Sequence, residues 1–270
     1  MSMQRPRPMF ALFTMTAAAA LALTGCGGGG EKAPEGGDAP AVTTIAEGRL
    51  TVCSNPPYAP FESTEQGEIV GFDLSLMEEV AKDLGLQLAG RETPFEAIES
   101  AAALDIGDCD VGASALTITE ARQAKADFSQ PYYDSAMGML VGPDSGIDSI
   151  DNLEGKTLGV QQGTTGEGWA KEHLDPGQVR QYEHLGDQTS AFQAGDVDGI
   201  INDVPTLQPY AVDGATIVTG LSDSEVFGFM VKKGNTALLN AINSTLDRVK
   251  TDGTYERLIA QWFTTAIRDD

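Results

Sequence analysis

Short apolar strands alternate with helical stretches from Leu50 onward, and this alternation constrains the fold more than any other feature. Leu50–Ser54 is rich in β-formers and is stopped by Asn55-Pro56-Pro57. The stretch EIVGFD, 68–73, reads as a second strand. Leu74, Leu76, Met77, Val80, Ala81 and Leu84 then recur with the 3.6-residue rhythm of a helix. Segment 86–90 reads as a strand, 95–104 as a helix and 111–116 as a buried strand. The pattern restarts after Tyr132-Tyr133, with helices over 150–155, 166–174 and 188–193 and strands over 158–160, 198–201, 216–218 and 226–231. Two amphipathic helices, 236–250 and 255–263, close the chain. Strands alternating with helices predict an α/β fold with largely parallel sheets. The second α/β unit lies between two parts of the first.

Length and composition permit this. A chain of 270 residues with 41% hydrophobic content can bury the cores of two domains. Its formal net charge of −23, from 40 acidic and 17 basic side chains, repels nucleic acid and anionic lipid headgroups, which are set aside as direct partners.

The first 25 residues do not belong to the folded unit. Arg5 and Arg7 form a positive n-region, and Phe10–Leu23 is an apolar run too short for a membrane span, which needs about 20 residues. The segment 1–25 reads as a secretory signal. The following LTGC, ending at Cys26, resembles the lipobox of bacterial lipoproteins, in which the cysteine carries lipid such as palmitate and becomes the new N-terminus. Segment 26–45 is rich in glycine and proline and reads as a flexible tether. With Cys26 lipidated, Cys53 and Cys109 remain in an oxidising compartment, where they form either a disulfide or two buried free thiols.

Ligands of doubly wound sheets bind at the C-terminal ends of strands, and four segments end strands in that way. CSNPPYAPFES offers Asn55 and Tyr58, and SALTITEAR offers Ser114, Thr117 and Arg122. VQQGTTGEGW opens a helix at Gly163-Thr164-Thr165, whose backbone N–H groups suit an anion, and IINDVP puts Asp203 beyond an apolar strand. Arg122 stands three residues inside a helix that Thr119 caps, where the helix dipole disfavours a cation. It is either a solvated surface residue or the partner of an anion.

The motifs GRLTVCSNPPYAPFE, EIVGFDLSLMEEVAKDLGL, SALTITEARQAKADFSQPYYDS, LEGKTLGVQQGTT, AGDVDGIINDVP and TDGTYERLIAQWF occur in that order. Together, from Arg49 to Phe263, they resemble the family 3 extracytoplasmic solute-binding proteins of ABC importers, of the polar amino acid type. The resemblance implies a type II periplasmic-binding-protein fold of two lobes, each a mostly parallel sheet flanked by helices, joined by two crossing strands. Lobe 1 would comprise 46–133 and 225–270, and lobe 2 would comprise 134–224. The hinge would lie near 131–133 and 225–227.

The resemblance also implies roles. Arg122 matches the arginine that grips the ligand α-carboxylate, and Asp203 matches the aspartate that holds the α-ammonium. Ser114, Ala115 and Thr117 would add hydrogen bonds from one lobe, and Thr164 and Thr165 from the other. Tyr58 and Phe95 match aromatic positions that sandwich the ligand. Asn55, Gln161 and Asn202 match positions facing its side chain; all three are neutral, which favours a neutral polar amino acid such as glutamine. Ser75 departs from the family, which often has an acid there, and altered local hydrogen bonding is expected around it.

The implied protein is a lipid-anchored, extracytoplasmic monomer that needs no cofactor, captures an L-amino acid and passes it to permease subunits. A ligand sensor feeding a receptor is the alternative, and a dehydratase on the same scaffold is a more distant one. His173 and His184 are the only histidines, with no metal-ligand or nucleophilic-triad spacing and no phosphate-binding loop.

Overall fold

The computed structural model describes residues 41–263 except Asp223. The signal segment, Cys26 and most of the tether lie outside the described residues. Among the described residues, no helix is long and apolar enough to cross a membrane.

The first lobe is built on β1 (Arg49–Ser54), which pairs in parallel with β4 (Gln87–Glu92) on one side and β5 (Val111–Gly112) on the other. Between β1 and β4 come a hairpin, β2 (Ser63–Glu65) and β3 (Glu68–Val70), and helix α1 (Phe72–Asp83). Phe72 and Asp73 thus open the helix, not the strand that EIVGFD suggests by pattern. Gly71, with φ of 141°, makes this possible, because a Cβ there would fall 2.0 Å from the Phe61 carbonyl oxygen. The expected 95–104 helix is two short ones, α2 (Phe95–Glu99) and α3 (Ala102–Asp105), broken where Ala101 turns left-handed at φ 65°. Helix α4 (Glu120–Lys125) follows β5, capped by the Thr119 hydroxyl, which accepts from the Arg122 N–H at 3.2 Å.

Two crossings connect the lobes. Strands β6 (Ala126–Phe128), β7 (Tyr133–Ser135) and β8 (Met137–Val141) run out of the first lobe. The second lobe then builds β9 (Leu158–Gln161), α5 (Thr165–His173), β10 (Val179–Tyr182), α6 (Leu185–Ala194), β11 (Gly199–Asp203) and α7 (Val204–Leu207). Strands β12 (Thr216–Thr219), β13 (Glu225–Phe227) and β14 (Met230–Lys232) lead back, and α8 (Thr236–Thr251) and α9 (Thr254–Phe263) pack on the first lobe. Segment 150–155 forms turns where the apolar pattern predicts a helix.

The sheets are ordered β4-β1-β5-β14-β6 and β10-β9-β11-β8-β12. They are mixed where a mostly parallel arrangement is expected. β14 is antiparallel to both β5 and β6, and β8 to both β11 and β12. These strands arrive directly from the crossings without a helical crossover, so nothing turns them parallel. Between the sheets, β7 and β13 pair antiparallel, with Tyr133 opposite Phe227 and Ser135 opposite Glu225.

In the second lobe, Met139, Val141, Val160 and Ile201 join one core, and Leu140 and Ile200 join another with Phe192 and Leu207. Alternate residues of one strand therefore feed opposite cores, which is why these strands read as continuous apolar runs. In the first lobe, Leu50, Val52 and Val111 pack with α1 and α8, while Cys53 faces Ile98 and Leu104. Phe61, Phe72 and Phe227 are fully buried, each contributing roughly 1.5–3 kcal/mol. Tyr132 and Phe229 stack at 4.2 Å. Cys53 and Cys109 are joined as a disulfide. At Ser75, the hydroxyl accepts from the Trp262 indole N–H at 2.9 Å, an arrangement that ties α9 to α1.

Candidate ligand-binding site

Nine of the twelve candidate residues line one cavity between the lobes: Tyr58, Phe95, Ser114, Ala115, Thr117 and Arg122 from one side, Thr164, Thr165 and Asp203 from the other. The remaining three adjoin it. The Asn55 N–H donates to the Ser114 hydroxyl at 3.2 Å, Gln161 donates to Asn55 Oδ1 at 3.0 Å, and Asn202 Oδ1 shares the Tyr58 hydroxyl hydrogen with the Asp203 carboxylate.

Local backbone shape positions the first-lobe groups. The Tyr58–Glu62 turn closes through the Tyr58 N–H to the Glu62 carbonyl at 2.7 Å, aiming the phenol across the cleft. Strand β5 is only two residues long, and three residues beyond it Ala115 adopts φ 44°, a strained choice for a residue with a Cβ. The strained turn is held by Asp73, whose carboxylate accepts from the Ala115 N–H at 2.8 Å and the Tyr132 hydroxyl at 2.7 Å. The Ser114 hydroxyl donates to the buried Glu62 carboxylate.

Arg122 is 4% exposed, which excludes a solvated surface role. Its guanidinium donates to the Thr117 carbonyl at 2.8 Å and the Gly163 carbonyl of the opposite lobe at 2.9 Å. Its Nε lies 3.6 Å from Glu99, and its Cζ 5.5 Å from the centre of the Phe95 ring. Burial lowers its pKa, while Glu99, Glu225 and Asp203 work against that shift.

The second-lobe groups sit at the ends of β9 and β11. Thr164 caps α5, accepting from the Glu167 N–H at 3.1 Å. Glu167 in turn accepts from the Gly163 N–H at 3.0 Å, so that amide is not free for an anion as the turn sequence implies. Asp203 is the last residue of β11, not a residue beyond it. Its carboxylate accepts from the Tyr58 hydroxyl and from Ser135 Oγ at 3.1 Å. Burial, then the Glu225 charge, raises its pKa to about 7; Tyr58, Ser135 and Arg122 pull the other way. Burial, then the Asp203 charge, pushes Tyr58 well up, so its phenol stays a donor. A buried cation and a buried carboxylate thus face one cavity from opposite lobes.

The profile of bacterial extracellular solute-binding proteins, family 3, matches residues 50–265. The chain belongs to this family. A probable histidine-binding protein of Neisseria gonorrhoeae is 32% identical over 257 residues, 92% of each chain. Among solved structures, a mutant of the arginine-binding protein ArgBP from T. maritima is 32% identical, with a TM-score of 0.74, covering 80% of this chain and 96% of that one. An ancestral amino acid-binding protein, a precursor of cyclohexadienyl dehydratase, is 34% identical with a TM-score of 0.74 and the same coverage. The family 3 relatives are thus binding proteins, one of them in the ancestry of an enzyme.

Three groups of this family 3 protein escaped the sequence reading of the site. Glu99 pairs with Arg122, Ser135 supports Asp203, and Glu225 accepts from the Thr117 and Thr165 hydroxyls, each at 3.0 Å. Glu225 had a signal only as part of a hinge, since a lone acid before an apolar run marks nothing. Glu62, which is fully buried, has its pKa pushed well up by burial, then by the charge of Asp73.

Proposed function

We propose that this protein captures a polar L-amino acid between its lobes and delivers it to the permease of an ABC importer. The observation that carries the reading is the opposition of Arg122 and Asp203 across one cavity. Arg122 would pair with the α-carboxylate, the strong bidentate form of such a contact, and Asp203 with the α-ammonium. Thr117, Ser114, Thr164, Thr165 and the Ala115 backbone complete the polar lining, and Tyr58 and Phe95 supply the aromatic walls.

Asn55, Gln161 and Asn202, which adjoin the cavity, would meet the ligand side chain. Gln161 Oε1 is buried without a hydrogen-bond partner among the described residues. A buried acceptor of this kind favours a side chain bearing N–H groups. Glutamine meets that demand without charge, and histidine and arginine, named for relatives, are the next candidates. The ligand is held, not transformed. Lobe 1 is 46–133 with 225–270, lobe 2 is 134–224, and lipid on Cys26 anchors the monomer outside the cytoplasmic membrane.

A thermal-shift panel of the twenty amino acids on the tether-free protein tests this. A ligand at 100 times its dissociation constant adds about 2.7 kcal/mol, a shift of roughly 5–10 °C for a chain of this size. One or a few strong responders are expected. A flat panel that persists after denaturation and refolding overturns the reading, as does turnover of a responder. Release of a Cys26→Ser variant from the membrane fraction tests the anchor.

A further inference from the structure

The crossing strands send side chains into the site as well as joining the lobes. Glu225 and Ser135 face each other in the β7–β13 register. Ser135 reaches Asp203 at 3.1 Å, and Glu225 reaches the hydroxyls of Thr117 and Thr165 with a single oxygen, Oε2, each at 3.0 Å. Glu225 is 7% exposed, so these bonds are shielded from water. Thr117 belongs to the first lobe, pinned to β13 by an antiparallel bridge to Phe227. Thr165 opens α5 in the second lobe.

We propose that Glu225 is a closure latch, a positioning residue on the hinge that holds one hydroxyl from each lobe on a single carboxylate oxygen. Thr117 stays beside Glu225 whatever the lobes do, because the bridge to Phe227 fixes it. Thr165 travels with the second lobe, so its bond to Glu225 exists only when the lobes are together. The latch therefore stabilises the closed state and not the encounter with ligand, and it acts on departure. It also fixes which way both hydroxyl hydrogens point, and with that which lone pairs Thr117 and Thr165 turn toward the cavity. The inference rests on the reading of this cleft as the ligand site.

Binding kinetics of L-glutamine, L-histidine and L-arginine to wild type, Glu225→Gln, Glu225→Ala, Thr165→Val and the Glu225→Ala/Thr165→Val double variant test it. For a shielded bond to a charged group, the expected rise in dissociation rate is roughly ten-fold in Glu225→Ala. The association rate should stay within about two-fold. Glu225→Gln keeps an acceptor oxygen but no charge, so it should fall between; it also serves if the alanine variant does not fold. The double variant should cost less than the sum of the two single ones, because the Thr165–Glu225 bond is lost only once. An unchanged dissociation rate, tighter binding, or additive effects in the double variant overturn the latch. A ligand-independent measurement separates this from failure of the functional reading. With dyes at Lys82→Cys and Asp187→Cys on opposite lobes, unliganded Glu225→Ala should show a longer mean interlobe distance than its parent. If no amino acid binds wild type while this distance still lengthens, the functional reading fails and the latch stands. An unchanged distance refutes the latch.

Discussion

The Tyr58 hydroxyl of the first lobe donates to the Asp203 carboxylate of the second, and both groups are buried. The lobes therefore meet through a carboxylate that is also the proposed partner of the ligand ammonium. That double use makes the protonation of Asp203 the variable to which closure and binding both answer.

Affinity should fall with pH. Asp203 has its pKa raised to about 7 by burial and by the neighbouring Glu225 charge. An ammonium needs it ionised, so binding should release a proton below neutrality and weaken by up to about ten-fold per pH unit from 7 to 5. Calorimetric titrations across that range check the slope, and Asp203→Asn should bind weakly with no such slope.

Stability should show the opposite trend at Asp73. Burial raises its pKa to about 7, with the Ala115 N–H and Tyr132 opposing the shift. The folded value lies above the unfolded 3.8, so the folded protein holds a proton that the unfolded chain releases between them. The resulting stabilisation is complete below about pH 4 and is lost as pH rises to about 7. Chemical denaturation of wild type against Asp73→Asn should show the wild type losing more stability across that window; parallel profiles would refute this.

Arg122→Ala should abolish amino-acid binding while the protein stays folded. Arg122→Lys should rescue little, because an ammonium cannot form the paired contact with a carboxylate. Removal also leaves the Thr117 and Gly163 carbonyls without their donor, at a cost of about 1–3 kcal/mol. Circular dichroism and titration together check both parts, and retained affinity would refute the carboxylate clamp.

Loss of the Cys53–Cys109 bridge should destabilise without changing ligand preference. The cysteines are 56 residues apart, and closing a loop of that size in the unfolded chain contributes about 4 kcal/mol. A Cys53→Ser/Cys109→Ser variant should melt roughly 10 °C lower. An unchanged melting temperature would show that the unfolded chain is already constrained.

Much of this protein is legible in its residues. The 3.6-residue rhythm of α1, α8 and α9 and the β-rich run of β1 are local properties, and a period survives whatever packs against it. The Thr119 cap was readable because a hydroxyl before a helix needs only its own neighbours. Arg122 and Asp203 became candidates through ordered motifs that no single segment supplies.

Tertiary structure decided the rest. No periodicity announces that β8 and β14 run antiparallel, since direction depends on whether a crossing strand or a helix delivers the chain. The break at Ala101 and the turn at Ala115 place ordinary alanines in the left-handed region, a strain that only surrounding contacts can hold, such as Asp73 on the Ala115 N–H. Glu225 acquires its role only when one strand brings it within reach of hydroxyls 108 and 60 residues away. Sequence determines what each segment can form by itself. The closed fold determines which buried charges share one cavity, because burial and partnership are properties of neighbours the chain brings in from afar.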